Sequence, residues 1–406
     1  MDKGTGDRKT HGSGGSQGRD FLNWCRSGII HFLDWAMAKD DRVVVLGSSH
    51  GRHFYGCPKG IYEYMVRECP KELEVYYYLE NGDPSDPRCL SKGGNFNWRT
   101  IKTLIRAKTL IGSHGTSDFG PWRLSKKKVF INTWHGFPLK AIAFKSKNRN
   151  RTAERDAQRL RDTVTAFLAS SDFEAELFVK SFRIEKERIW VVGQPRNDRL
   201  VDRVLDPAPP FTKDLPPHRR VVLYCPTFRD KAEIELFPFK DFDLEKLNRF
   251  LEENKLVILL RAHINEGESK DIFMGGRIVK FSFDIWPDVN EFLPHVDIMI
   301  TDYSSIFFDY LLLNRPVIFL PYDLEEYERT RGFMVDDYDK WTPGPKVSTF
   351  GGFLGTLTDI LNGKDEFGAE RERINGIVNA AQTVDTPKKV LEKLRSELLR
   401  LKKEGG

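Results

Sequence analysis

The chain lacks any run of about 18 consecutive apolar residues, the length a membrane-spanning helix needs, and its first twenty residues hold no apolar core of a signal peptide. Cysteine is scarce. Only Cys25, Cys57, Cys69, Cys89 and Cys225 occur among 406 residues, and no two make a C-x-x-C pair. That excludes a disulfide framework or a zinc ribbon and predicts reduced thiols in a cytosolic setting. Charge of one sign is not in great excess: 30% of residues are charged but the formal net charge is only +5, so a histone-like polycation is excluded. There is no Gly-x-x-x-x-Gly-Lys loop, which excludes a P-loop NTPase. Short internal repeats are also missing. What is present is apolar: 40% of residues are hydrophobic and 12% aromatic, enough to exclude disorder throughout.

The length suggests two or three domains, and the pattern along the chain resolves into two α/β halves. Residues 1–20, rich in Gly, Ser and charge, read as a flexible leader. A helix is expected over 21–39, where Asn23, Ser27, His31 and Asp34 form a polar stripe on an otherwise apolar rod. Trp24 and Trp35 would suit a membrane interface, but Arg26 is its only early basic contact, so packing on the domain or on a partner is the preferred reading. Short β-branched runs at 42–47, 74–79, 109–112, 128–133 and 164–169 alternate with helical stretches at 61–67, 98–107 and 174–182, which predicts an open parallel sheet with ligands at the strands' carboxyl ends. Pro207, Pro209, Pro210, Pro216 and Pro217 mark a linker over 205–220. The alternation restarts beyond it: strands at 221–225, 257–260, 297–301 and 317–320, helices at 244–254 and 304–313. The expected architecture is therefore an N-terminal half (21–204), a linker (205–220), a C-terminal half (221–390) and a charged tail (391–406), with a site in the cleft between the halves.

Three segments carry chemistry. In NTWHGFPLK (132–140), His135 sits on a turn at a strand's carboxyl end, where a near-neutral imidazole suits general-base work, and Lys140 adds a cation. In LLRAHI (259–264), Arg261 and His263 leave a buried strand together, a guanidinium fork and an imidazole suited to phosphate oxygens. In VDIMITDYSSIFFDY (296–310), a strand runs to Thr301 and Ser304-Ser305 are expected to open a helix. They read either as ordinary N-caps or as an anion site made by hydroxyls and free backbone N–H groups. Asp241-Phe242-Asp243 has the D-x-D spacing of some metal sites, but it precedes a helix, so capping is preferred.

These motifs occur in one order with PTFRD (226–230), WPDVNEFL (286–293), NRPVIFLPYDLEEY (314–327), RGFMVDD (331–337) and PGP (343–345). From about residue 40 to 385 the chain resembles the CDP-glycerol glycerophosphotransferase family, the teichoic-acid primases and polymerases and some capsule polymerases. It departs from the family pattern at Ile264, where proline is usual, and at Phe137, where threonine is usual. The resemblance implies a GT-B-like α/β fold: two Rossmann-like domains facing a cleft, the donor held mainly by the C-terminal one. It implies transfer of glycerol phosphate from CDP-glycerol to a hydroxyl of a lipid-linked saccharide or poly(glycerol phosphate) acceptor, with release of CMP, no cofactor and no metal. CDP-ribitol or a sugar nucleotide are the alternative donors. It casts His135 as base and His263 as partner at the pyrophosphate. Arg229, Arg261, Thr301, Ser304 and Ser305 become donor contacts, and Asp323 and Glu326 neighbours of the donor's glycerol or ribose.

The modest net charge hides an uneven distribution. Between Arg123 and Arg161 twelve Lys or Arg residues face only Glu154 and Asp156, so the segment carries +10 and the remainder is acidic. A solvated basic face is the ordinary reading. Beside the WHG motif, the expectation is that Lys140, Lys145, Arg149, Arg151 and Arg155 meet a pyrophosphate-linked lipid or an anionic membrane surface, with the protein cytoplasmic and peripheral on the inner face of the cell membrane. Nucleic acid is not an expected partner, because aromatics are not interleaved with the cations and no nucleic-acid-binding motif occurs.

Overall fold

The computed structural model describes residues 28–92, 97–120, 125, 127–148, 150–202, 207–227, 229, 234–262 and 276–404. The β-branched runs form two all-parallel sheets. The first contains β1 (Asp40–Gly47), β2 (Glu74–Tyr78), β3 (Cys89–Leu90), β4 (Ala107–Gly112), β5 (Val129–Asn132), β6 (Ala166–Ala169) and β7 (Ile189–Val191), in the order β3-β2-β1-β4-β5-β6-β7. The second contains β8 (Arg220–Cys225), β9 (Leu256–Leu260), β10 (Ile278–Lys280), β11 (Ile298–Thr301) and β12 (Val317–Phe319), in the order β10-β9-β8-β11-β12. Helices cover both faces, which is why β9, all five residues buried, is a continuous aliphatic run instead of an alternating one. The expected strands are present, with ends shifted by one or two residues. The short strands β3, β7 and β10 add to them, two or three residues each and too brief to show a period.

The helices that place the site are α1 (described over 28–36), α2 (Gly56–Glu68), α3 (Trp98–Arg106), α4 (Arg151–Thr163), α5 (Asp172–Phe182), α6 (Leu244–Glu253), α7 (Ile306–Tyr310), α8 (Phe350–Leu361), α9 (Gly368–Val378) and α10 (Thr386–Glu404). Asn23, Trp24 and Ser27 lie outside the described residues; in the described part of α1 it is Asp34 that turns inward. Asp34 is fully buried, 2.8 Å from Lys128 and 3.0 Å from Lys39, while Ile30 and Leu33 pack on Ile101 and Ile105 of α3. Ile29, Phe32, Trp35 and Met37 are left exposed. The helix thus packs on the domain, as preferred, yet keeps an outward apolar face. Asp243 caps α6 by accepting from the Lys246 N–H, and Asp241 accepts from the Phe350 N–H at the start of α8. Capping therefore accounts for both acids of the D-x-D triplet.

One expectation about domain limits needs correction. Residues 391–404 are no tail: they continue α10, which crosses back to the first half. Val390, Leu391 and Leu394 are apolar at helical spacing and bury against Val44, Leu46, Ile61 and Met65. The Pro-rich segment is also anchored. Its Phe211 packs against Phe281 and Phe292, rings 5.2 and 5.3 Å apart.

The halves share one core and one buried polar cluster. Phe137, Leu139 and Leu177 of the first half join Phe307, Phe308 and Tyr303 of the second. Beside them, Arg196 makes a bidentate pair with Asp309 at 3.0 and 3.1 Å. Asn197 and Asn290 donate to the same carboxylate at 2.7 and 2.9 Å. Neither Arg196 nor Asp309 has more than 8% of its side chain exposed.

Candidate active site

The carboxyl ends of β1, β4 and β5 lie side by side and each runs into a His-Gly pair: His50-Gly51, His114-Gly115 and His135-Gly136. At the β5 end the Asn132 carboxamide accepts the Trp134 N–H at 2.8 Å and closes a tight turn. Trp134 adopts φ +56°, rare for a residue with a side chain. Gly136 follows at φ +154°, and a methyl group there would lie 3.0 Å from Ser305 Oγ. Glycine is thus what lets the His135 turn approach the TDYSS segment across the cleft. Backbone pairing locks the approach: Ala141 donates to the Gly332 carbonyl at 2.9 Å and Met334 to the Leu139 carbonyl at 2.8 Å. The first, third and RGFMVDD motifs, far apart in sequence, are stitched together here.

His135 Nδ1 lies 3.1 Å from the Ser113 carbonyl oxygen. A carbonyl only accepts, so Nδ1 carries the proton and Nε2 keeps its lone pair. The ring is open to a cavity yet crowded by protein. Loss of solvent pushes its basicity below the ordinary histidine value, and repulsion from His114 adds to this only when that ring is itself protonated. His114 lies face to face with it, ring centroids 4.1 Å apart and planes 6° from parallel. Burial and then His50 push His114 down to about 4, so both rings are neutral near pH 7. The buried Asp118 carboxylate sets this arrangement, accepting N–H groups from His50 (2.7 Å), Ser113 (2.6 Å) and His114 (2.7 Å). The cavity, about 750 Å³, has His50, His114, His135 and Trp134 on one side and Asp156, Arg159 and Arg331 on the other. Across the cleft, at the ends of β8, β9 and β11, a second cavity of about 280 Å³ is lined by Cys225, Pro226, Arg261, Phe283 and Ser304.

The other expected residues are placed unevenly. Ser304 lines the second cavity and Ser305 faces Gly136. The helix after them starts two residues later than expected: α7 begins at Ile306 and passes at Leu311–Leu313 into a 3-10 turn, with Phe307 and Phe308 buried in the shared core. What Ser304 and Ser305 offer is two hydroxyls, with no long helix behind them. Arg229 and Asp323, expected to meet the donor separately, are each other's partners: two nitrogens of Arg229 bond Asp323 at 2.9 Å, and one also reaches Asp302 at 3.0 Å. Tyr303, Tyr322 and Tyr327 surround the guanidinium. Arg261 directs its fork at the carbonyls of Trp286 (2.8 Å) and Pro287 (2.9 Å), tying the second motif to WPDVNEFL. Thr301 is buried and donates to the Cys225 carbonyl. Glu326 is exposed, 3.8 Å from Arg329. His263 and Arg149 lie outside the described residues.

Of the basic segment, Lys145, Arg151 and Arg155 are exposed, the latter two one helical turn apart on α4. Lys140 lies in the bridge to Phe333. Lys128 is buried against Asp34, and Lys147 donates to the Glu328 carbonyl. Fewer cations therefore face outward than the sequence count suggests. His114 and His50 escaped the motif reading. The signal was there: the Ser-His-Gly after β4 repeats the strand–His–Gly pattern of the WHG turn. Among the described residues no group of three or more His, Cys, Asp or Glu side chains is arranged to hold a metal, and no helix is long and apolar enough to cross a membrane.

Two Rossmann-like halves, sheet ends facing across a cleft with an imidazole on one side and hydroxyls on the other, define a GT-B-like fold. Residues 29–395 match the family model described as CDP-Glycerol:Poly(glycerophosphate) glycerophosphotransferase, and the chain belongs to that family. It is 29% identical over 375 residues to a teichoic acid poly(glycerol phosphate) polymerase of Staphylococcus epidermidis, covering 86% of this chain but 50% of that protein. The chain thus spans half the length of that curated relative. A teichoic acid glycerol-phosphate transferase of Staphylococcus aureus is 27% identical, with 80% of this chain and 85% of the relative covered. The fold superposes on a structure of the wall teichoic acid polymerase TagF with a TM-score of 0.74 at 22% identity, covering 94% of this chain and 96% of the other.

Proposed function

We propose that the protein transfers glycerol phosphate from CDP-glycerol to a hydroxyl of a lipid-linked saccharide or a growing poly(glycerol phosphate) chain, releasing CMP, in the synthesis of a teichoic-acid-like or capsule polymer. The observation that carries the reading is the close approach of the His135 turn to Ser305 at Gly136. It sets a neutral imidazole with a free Nε2 beside two hydroxyls at the mouth of a second cavity. The acceptor hydroxyl enters the larger cavity and gives its proton to His135 Nε2. Its oxygen attacks the β-phosphorus, the bond from that phosphorus to the bridging oxygen breaks, and CMP departs. Ser304 and Ser305 donate to the pyrophosphate, and His263 stabilises or protonates the leaving group. Such a transfer asks mostly for positioning and charge stabilisation. Arg261 lines the second cavity and meets the donor there while tying down the WPDVNEFL loop, and Arg229, Asp302 and Asp323 hold the TDYSS loop behind it.

The acceptor is lipid-borne in this reading. Exposed Lys145, Arg151 and Arg155, with Arg149 between them in sequence, attract an anionic surface at about 1 kcal/mol per cation. The outward Ile29, Phe32 and Trp35 of α1 suit the headgroup boundary. The protein then works at the inner face of the cell membrane.

The test is to incubate the protein with CDP-glycerol, CDP-ribitol or UDP-sugars and a lipid-linked disaccharide, and to weigh the product. Addition of glycerol phosphate by the parent, and its loss in His135→Ala with circular dichroism unchanged, is the expected result. Ribitol phosphate or sugar addition in place of glycerol phosphate transfers the reading to that donor. Activity of His135→Ala within a few fold of the parent removes His135 as the base.

A further inference from the structure

If His135 is the base, it becomes an imidazolium at the moment of transfer, inside a crowded cleft. Histidine bases are commonly steadied by a carboxylate at Nδ1; here Nδ1 faces only the uncharged Ser113 carbonyl. The nearest groups able to answer the charge are ring faces. His114 lies parallel at 4.1 Å and Trp134 at 4.4 Å with planes 28° apart. His114 is itself held from three directions. Its N–H goes to Asp118, its Nδ1 is 2.8 Å from Ser113 Oγ, and its far side meets the His50 ring at 4.8 Å. The stack grows from three neighbouring strands, and its middle member touches the proposed base without reaching across the cleft.

Resting on the function proposed above, we propose that His114 is a positioning residue for the transfer: a neutral imidazole whose face, opposite Trp134, holds the His135 ring in plane and stabilises the imidazolium formed when the acceptor hydroxyl is deprotonated. A cation over an aromatic face in a desolvated site gains most where no counter-anion is at hand. The charged neighbours of His135 are Arg196 and Asp118 from the first half; Asp288 from the second shares with it a cavity of about 40 Å³ that Tyr55 and Cys57 also line, and Asp156, Arg159 and Arg331 line the larger cavity. Arg196 opposes a positive ring and is itself paired with Asp309. Asp118 is occupied by three backbone N–H groups, and Asp288 accepts from Gly56 and Asn290. None of the three makes a hydrogen bond to the His135 ring among the described contacts. The proton is conserved throughout: it moves from the acceptor oxygen to His135 Nε2 and leaves to solvent once CMP has gone, and Nδ1–H stays on the Ser113 carbonyl.

The experiment compares His114→Leu and His114→Phe in the full chain, with His135→Ala as reference. Loss of the ring face in His114→Leu should lower kcat about tenfold with the KM for CDP-glycerol unchanged. His114→Phe, which restores a face, should return kcat to within about threefold of the parent. A second readout separates stabilisation of the imidazolium from mere packing. With an acceptor whose hydroxyl is made more acidic by a neighbouring fluorine, less charge passes to His135, so the His114→Leu defect should shrink. Equal kcat in His114→Leu and the parent, failure of His114→Phe to rescue a folded protein, or a defect indifferent to hydroxyl acidity overturns the proposal. A dead His135→Ala beside a fully active His114→Leu refutes this inference alone; an active His135→Ala refutes the function reading first.

Discussion

Replacing Arg196 by methionine tests the joint between the halves. The substitution keeps most of the side-chain length and removes the guanidinium that meets Asp309 at 3.0 and 3.1 Å. Asp309 keeps two donors, the carboxamides of Asn197 and Asn290, but is then a carboxylate with no cation, only 8% exposed. Breaking a buried pair costs about 3–5 kcal/mol. The two remaining amides place Arg196→Met near the lower end, about 3 kcal/mol, or roughly two decades in the folding equilibrium. The same change leaves the Gln194 carbonyl, 3.1 Å from Arg196, without that donor, which adds to the loss. Urea unfolding followed by tryptophan fluorescence, with the slope of ΔG against urea compared between the two proteins, measures it. An unchanged slope and a midpoint lowered to match are expected. A loss below about 1 kcal/mol, the range of an exposed pair, would refute the view that this cluster fixes the halves against one another.

Other outcomes follow from the same geometry. Glu174, almost fully buried in the first turn of α5, is pushed up to about 7 by burial. Its folded form holds a proton that the unfolded form has lost, so stability falls as pH rises from about 4.5 to 7 and is flat above. Glu174→Gln, which keeps an acceptor for the Ser170 N–H, should remove that slope and raise stability at pH 8 by up to about 3 kcal/mol; parallel pH profiles of urea midpoints for the two proteins would contradict it. Gly136→Ala forces a methyl group against Ser305 Oγ at a backbone angle suited to glycine. It should cost about 1–2 kcal/mol of stability but at least tenfold in turnover, and full activity would show that the turn does not need this approach. Glutamate at Arg149, Arg151 and Arg155 together should reduce sedimentation with anionic liposomes and raise the acceptor KM; with neither changed, the basic segment has no part in binding the lipid-borne acceptor.

Much of the architecture is legible in the sequence because fully buried parallel strands leave an unmistakable mark: Leu256–Leu260 can hardly be anything else. The destination of α10 is not legible. Its apolar stripe of Val390, Leu391 and Leu394 says that it packs, but only the tertiary structure says that it packs on β1 and α2. The site divides in the same way. The His135 turn is readable because strand, turn and glycine are local. The pairing of Arg229 with Asp323 joins residues 94 apart in the chain, so residue type pointed to each separately and gave no sign that they pair. Phe137, the departure from the usual threonine, packs on Phe308 at 4.1 Å in the shared core.

The return of α10 to the first half also constrains how the protein is made. One face of the first sheet, complete in its strands by Val191 and partly covered by α2, is fully closed only when Val390–Leu394 arrive. At roughly 5–20 residues per second on the ribosome, that face waits on the order of ten to forty seconds while the whole second half is synthesised. Val44, Leu46, Ile61 and Met65 stay without their last cover for that interval. Synthesis of the nascent chain, more than the finished molecule, is where this protein is exposed to aggregation and to chaperones.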